Sequence, residues 1–297
     1  MRVNPNYTPD ILTDLFQQQA QLQNYVQELA TGKRVNVPSD DPAAAAADVE
    51  NQASQSQNDQ YLQNTSNLEG SLQTADSTLS SVVTALNQAI SLGTQGANGT
   101  ESSSNQQEIA QQVQSIQSQI VQLANTNYQG SYIFGGTATQ SAPFTLDPTQ
   151  PSGVLYNGNA GVNNVEIAPG SNMQVNLPGS QVFQGAGGNV MVALQQLVTA
   201  LQSGNTTSIG TATIQVSSAL SYLSQQQVFY GSAVDQLNAN QSSLQQEQVT
   251  LQSQENTLVG ANLATVATDM TQAETDQNAT LAALAQIIPQ SLLNYLK

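Results

Sequence analysis

The catalytic chemistry open to this sequence is that of carboxylates, hydroxyls and four cationic side chains. Cys and His are absent, which removes the thiolate nucleophile, the imidazole base and any His/Cys metal site. A serine nucleophile needs an adjacent base, which here would have to be Lys33 or Lys297, and no Ser-x-x-Lys occurs. The 20 acidic residues could bind a hard cation such as calcium, but no loop spaces them at alternate ligand positions. Gly135-Gly136 and Gly185-x-Gly187-Gly188 lack the Lys and the spacing of a phosphate loop. The first suits a close backbone approach, and the second reads as a hinge. These residues point to a protein that is not an enzyme and takes no metal or cofactor.

The four cations are Arg2, Lys33, Arg34 and Lys297, and residues 35–296 contain none. Nucleic-acid binding and attachment to an anionic membrane both need clustered Lys and Arg, so neither class of partner is expected. No run of about 18 apolar residues is present, and the N-terminus has no apolar run resembling a secretory signal. Charged residues make up 8% of the chain, and Gln, Asn, Ser and Thr carry the polarity instead. Such a surface suits close self-association, or reflects a compositional habit. Lys33-Arg34 and Asp40-Asp41 share one loop. They read as helix capping plus a solvated ion pair worth about 0–1 kcal/mol, with an intersubunit contact as the alternative.

The elements that would position these residues follow from apolar spacing. Leu12, Leu15, Gln19, Leu22, Val26 and Leu29 alternate 3 and 4 apart, a coiled-coil seam over residues 10–30 that Gly32 stops. A second helix starts at Pro42 with Asp41 as N-cap, runs through Leu62, Leu72, Leu79, Val83, Leu86 and Ile90, and closes at Gly93, Gly96 and Gly99. A third spans about 104–128. From 131 to 183, Gly, Pro and Asn punctuate the short runs 132–134, 154–156, 165–167 and 173–175. Asn157-Gly158 suggests a hairpin turn, and Pro169-Gly170 and Pro178-Gly179 suggest type II turns. Helical pattern returns at 189–202 and again at 208–260, where Val216, Leu223, Tyr230, Leu237, Leu244, Leu251 and Leu258 recur every seventh position. The companion positions Leu220, Gln227, Val234, Gln241, Gln248 and Glu255 are largely polar. A last seam holds Leu263, Val266, Met270, Ala273, Leu281, Leu284 and Ile288, with Pro289 expected to end or kink it, and Leu292 and Leu293 following.

The expected fold is mainly α: a long antiparallel coiled-coil bundle of N- and C-terminal segments with a small inserted all-β domain. The divisions are 1–42, an assembly helix and loop; 43–130 and 189–260, the two halves of the bundle; 131–188, the β insert; and 261–297, a C-terminal assembly helix. The two terminal seams would pack on each other or on neighbouring copies. An ordinary intramolecular bundle accounts for the periodicity; assembly accounts better for seams at the extreme ends.

The run Thr31-Gly32-Lys33-Arg34-Val35-Asn36-Val37-Pro38-Ser39-Asp40-Asp41-Pro42-Ala43-Ala44-Ala45 resembles the N-terminal signature of the flagellin superfamily. Asp40-Asp41-Pro42-Ala43 resembles the hook–filament junction family within it, where flagellins usually carry Asp-Asp-Ala-Ala. Tyr128 to Thr137 with Ala142-Pro143-Phe144, Leu177 to Phe183, Asn262 to Glu274 and Ser291 to Leu296 are similar to that family in the same order. The resemblance implies an extracellular flagellar adaptor, exported unfolded without a cleaved signal, that joins the other junction protein on the hook side to flagellin. It implies terminal helices that are largely disordered in the free monomer and pack as coiled coils in the assembled tube, and an export chaperone shielding the C-terminal helix. Self-association into a ring or helical oligomer would use Leu12, Leu15, Leu22, Val26 and Leu29, the loop residues Lys33, Arg34, Asp40 and Asp41, and Leu263, Val266, Met270, Leu281, Leu284, Ile288, Leu292 and Leu293. A flagellin filament subunit is the nearest alternative, and a secreted adhesin on a coiled-coil stalk the next.

Overall fold

The computed structural model describes the backbone of residues 7–295 and the side chains of 12–285. Among the described residues the helices are α1 (Tyr7–Thr31), α2 (Pro42–Gly96), α3 (Ser103–Ala124), α4 (Gly179–Gln184), α5 (Val190–Ser203), α6 (Thr206–Val259) and α7 (Leu263–Tyr295). Between α3 and α4 lie three separate antiparallel hairpins: β1 (Asn127–Tyr128) with β2 (Ser131–Tyr132), β3 (Phe144–Leu146) with β4 (Val154–Tyr156), and β5 (Asn164–Ala168) with β6 (Ser171–Gln174). The chain is thus mainly α with a small β region, as its periodicity indicates.

Local chemistry sets the helix ends. Gly32 takes φ +69° and its N–H donates to the Glu28 carbonyl, a left-handed stop that favours glycine. Asp41 Oδ1 accepts the Ala44 N–H at 3.0 Å, which makes Asp41 the N-cap of α2 with Pro42 first in the helix. Ser102 and Asn189 cap α3 and α5 in the same way. Pro289 does not end α7, which continues to Tyr295. The missing N–H costs one intrahelical bond, and the turns on either side continue the helix without it.

The chain divides into two compact units, Met1–Asn58 with Gln246–Lys297, and Asp59–Gln245. In the second unit the core is built from regular stripes. Val216, Leu223, Tyr230 and Leu237 of α6 are fully buried, as are Leu72, Leu79 and Leu86 of α2. Val113 and Ile120 of α3 and Leu194, Leu197 and Leu201 of α5 complete it. A polar seam position is satisfied rather than empty: Gln227 Nε2 donates to Asp76 at 3.0 Å. The hairpin region is tied in by aromatic edges. Phe183 meets Phe134 and Phe144 edge-on at 5.2 and 5.4 Å, and Phe134 meets Tyr230 at 6.3 Å. The Tyr230 hydroxyl accepts the Leu177 N–H at 3.3 Å, and burial pushes its phenol pKa up.

Several turns differ from expectation for identifiable reasons. α3 stops at Ala124 because the Asn125 side chain bridges the backbone of Phe144, donating to its carbonyl at 2.7 Å and accepting its N–H at 2.9 Å. That bridge also anchors β3, a strand the spacing does not reveal. Asn157-Gly158 is not the β3–β4 turn, since residues 147–153 make that connection. Instead the Asn157 N–H reaches the Pro143 carbonyl at 2.7 Å and prolongs the pairing. Pro169-Gly170 does join β5 to β6, with Gly170 at φ +71°. Pro178-Gly179 opens α4 instead of forming a turn. Gly185, Gly187 and Gly188 are no open hinge: a Cβ on Gly187 or Gly188 would stand 2.6 or 2.7 Å from Tyr222, so these glycines let backbone and ring approach closely.

Two glycines give opposite expectations. A Cβ at Gly179 would fall 2.7 Å from both the Phe134 carbonyl oxygen and the Phe144 ring. Gly179→Ala should therefore destabilise by about 1–3 kcal/mol through overpacking. Gly231 lies inside α6 with nothing near its Cβ direction, so Gly231→Ala should stabilise by roughly 0.5–1 kcal/mol. Urea midpoints of the full chain would check both, and equal shifts of one sign would contradict the packing.

Candidate assembly surface

The charged loop singled out in the sequence is a clasp within the first unit. The Arg34 N–H donates to the Val259 carbonyl at 2.7 Å, and the Ala261 N–H to the Gly32 carbonyl at 2.9 Å. Two short segments, one before α2 and one after α6, are thereby paired. Val35, Ala44 and Val259 bury a small apolar cluster at this pairing. Asp40 Oδ2 accepts the N–H groups of Asn36 and Val37, each at 3.0 Å, and holds the loop's shape.

The cations divide their labour. Arg34 bonds Asp41 Oδ2 through both terminal nitrogens at 3.2 Å and reaches the Leu258 carbonyl at 3.0 Å. Lys33 does not pair within its own loop: its Nζ donates to Glu255 Oε1 at 2.8 Å. Gln55 Nε2 bonds the other Glu255 oxygen at 3.1 Å, and Asn51 donates to the Leu251 carbonyl at 2.9 Å. Glu255 is a polar member of the α6 heptads, and its role becomes visible only once the loop is folded against it. Both ion pairs are partly exposed, so they fix geometry more than they add stability.

The terminal helices α1 and α7 pack on each other, with Gln18 Nε2 donating to Thr280 Oγ1 at 3.2 Å. A groove of about 600 Å³ runs beside that contact, lined mainly by amides and hydroxyls, among them Gln17, Gln21, Asn24 and Thr280. The seam residues separate into two groups. Val266 and Leu284 are buried, and Leu15, Leu22, Leu29 and Met270 are half-buried. Leu12, Val26, Leu263 and Leu281 remain exposed, Val26 at 51% and Leu281 at 46%. Phe16, which lies off the seam, is the most exposed of the large apolar side chains described on these two helices at 66%. A lone aromatic beside a seam in a Gln-rich run is the signal that could have found it. The side chains of Ile288, Leu292 and Leu293 lie outside the described residues.

Residues 7–139 match the bacterial flagellin N-terminal helical region. The match takes in α1, the clasp loop, α2 and α3. Over 181 residues the chain is 32% identical to flagellar hook-associated protein 3 of Salmonella typhimurium, covering 61% of this chain and 56% of that protein. The same-named protein of Escherichia coli is 32% identical over 174 residues, covering 58% and 53%. The chain therefore spans about half the length of the curated relatives it matches. Its fold is similar to that of a Vibrio parahaemolyticus protein assigned as flagellar hook-associated, with a TM-score of 0.68 at 20% identity over 74% of this chain and 99% of that one. Hook-associated protein 3 of Legionella pneumophila gives 0.64 at 14% identity over 70% and 98%.

The clasp has a defined pH range. Hydrogen bonds from Lys33 and then Gln55 hold the Glu255 carboxyl below its ordinary range, and the Ala44 N–H with Arg34 does the same for Asp41. The Glu255 contact lifts the Lys33 amine above its ordinary value. The carboxylates stabilise the fold above the usual carboxylate range and lose that contribution as pH falls through their depressed values. The lysine contributes below the usual amine range and loses it as pH rises through its raised value. Melting temperature should thus fall on acidification from neutrality to about pH 3, and Glu255→Gln should flatten part of that slope. Calorimetry across pH tests this, and parallel slopes for the two proteins would remove Glu255 from the account.

Proposed function

We propose that this chain is a flagellin-family structural adaptor of the bacterial flagellum, seated where hook meets filament and assembled through its terminal helices. The observation that carries the reading is the state of α1 and α7. They pair with each other, yet Leu12, Phe16, Val26, Leu263 and Leu281 stay in solvent. Side chains of this size on two adjacent helices gain by burial against further helices. Neighbouring copies of the chain in a ring or helical assembly supply such helices, with the other junction protein on one side and flagellin on the other. By sequence spacing the C-terminal set also takes in Ile288, Leu292 and Leu293, and an export chaperone covers the C-terminal helix before assembly. In this reading the protein works outside the cell, catalyses nothing and contacts neither nucleic acid nor membrane.

Support for the junction rather than the filament comes from the 32% identity to proteins named flagellar hook-associated protein 3. The match to the flagellin N-terminal region favours the second reading, a filament subunit.

Immunogold electron microscopy with antibody against residues 131–185 separates the two. A single band between hook and filament is expected. Label along the filament would make the chain a flagellin, and label off the flagellum would end both readings. The double variant Phe16→Ser with Leu281→Ser should lose the band while far-UV circular dichroism stays near wild type. An unchanged band would remove the terminal helices from assembly.

A further inference from the structure

The sequence contains two Asn-Gly steps, Asn98-Gly99 and Asn157-Gly158, and the fold treats them oppositely. Asn98 lies in the exposed turn between α2 and α3. Its backbone N–H donates to Gln95 at 3.0 Å and its carbonyl accepts the Glu101 N–H at 3.1 Å. Among the described residues no hydrogen bond engages its side-chain amide or the Gly99 N–H, and nothing lies within 4 Å of where a Gly99 Cβ would stand. The amide carbon and the nitrogen that follows it are both free, and glycine places no side chain between them.

Asn157 is held. Its Nδ2 donates to Thr145 Oγ1 at 3.1 Å and its N–H to Pro143 at 2.7 Å. Gly158 is hemmed in by the Tyr156 ring and by the Gly135 carbonyl oxygen, 2.8 Å from its Cβ position. Rotation into an attacking geometry would break these contacts.

We propose that Asn98 is a site of spontaneous deamidation in the folded chain and that Asn157 is protected from it. The Gly99 nitrogen attacks Cγ of Asn98, forming an N–Cγ bond and breaking Cγ–Nδ2. Ammonia leaves with the proton taken from the Gly99 nitrogen. Water then opens the cyclic succinimide at either carbonyl, giving aspartate or isoaspartate. The product places a new carboxylate just beyond the C-terminus of α2, where the helix dipole disfavours negative charge. Isoaspartate also adds a methylene to the backbone of a turn closed by a single 98–101 bond.

The test is a timed incubation of the full chain at mildly alkaline pH, folded and in urea, continued until both sites convert in urea. Peptide mass spectrometry and enzymatic isoaspartate labelling read each site. Folded protein should convert at Asn98 with Asn157 left intact, and urea should make the two rates similar. Gly99→Ala should slow conversion at Asn98 severalfold without changing the melting temperature, because the added methyl meets no neighbour. Conversion of Asn157 as fast as Asn98 in the folded chain, no conversion of folded Asn98, or indifference to Gly99→Ala would each overturn the assignment.

Discussion

A helix of 54 residues cannot hold itself in water, and this one is stable because an apolar residue returns every seventh position to be covered. In the second unit that stripe is complete: Val216, Leu223, Tyr230 and Leu237 are fully buried. The partner stripes on α2, α3 and α5 repeat at helical spacing, so burial on one element orders the next. The half of the seam that is polar is no defect. Gln227 finds Asp76, and beside the seam Asn240 donates to the Ile167 carbonyl at 2.7 Å. Such pairs add little net energy but are costly to leave unmade, so they fix register where leucines alone would tolerate sliding.

The hairpin region depends on the same helix. Its three strand pairs are separate and short, and an isolated two-stranded hairpin is marginal in water. What holds them is a cluster of large rings. Phe134, Phe144 and Phe183 interlock by their edges, and Tyr230 of α6 supplies both a ring and a buried acceptor for Leu177. Gly179 belongs to this arrangement because only a missing side chain lets the chain pass between the Phe134 carbonyl and the Phe144 ring. The insert is a surface pinned to a helix by a few aromatic contacts.

The sequence was most legible where one period governed. The heptads of α6, the helix of α1, the stop at Gly32 and the cap at Asp41 all follow from local rules acting on local residues. It was least legible where a side chain replaced backbone pairing. Asn125 ends α3 by bonding Phe144, 19 residues away, and no window of apolar spacing contains that information. Pro178-Gly179 has a turn's composition, yet Pro178 is the extended N-cap of α4 and Gly179 its first residue. The clasp was half legible: Arg34 with Asp41 is written in one loop, whereas Lys33 with Glu255 joins residues 222 apart.

That long-range pair constrains how the terminal helices are held. Lys33 and Arg34 are the only cations among residues 12–285, and both are engaged at the clasp, one through Glu255 and the other through Asp41 and the Leu258 carbonyl. Together with the backbone bonds of Arg34 and Ala261 they fix where α1 ends and α7 begins. Beyond the clasp the helices themselves carry no basic residue between 7 and 31 or between 263 and 295, so no ion pair can form between them there. Their contact relies on apolar stripes that are only partly covered and on amides such as Gln18. A pair anchored at one end and underpacked along its length leaves its apolar side chains available to whatever helices approach. On the proposed reading, the clasp places the terminal helices and neighbouring helices complete their packing.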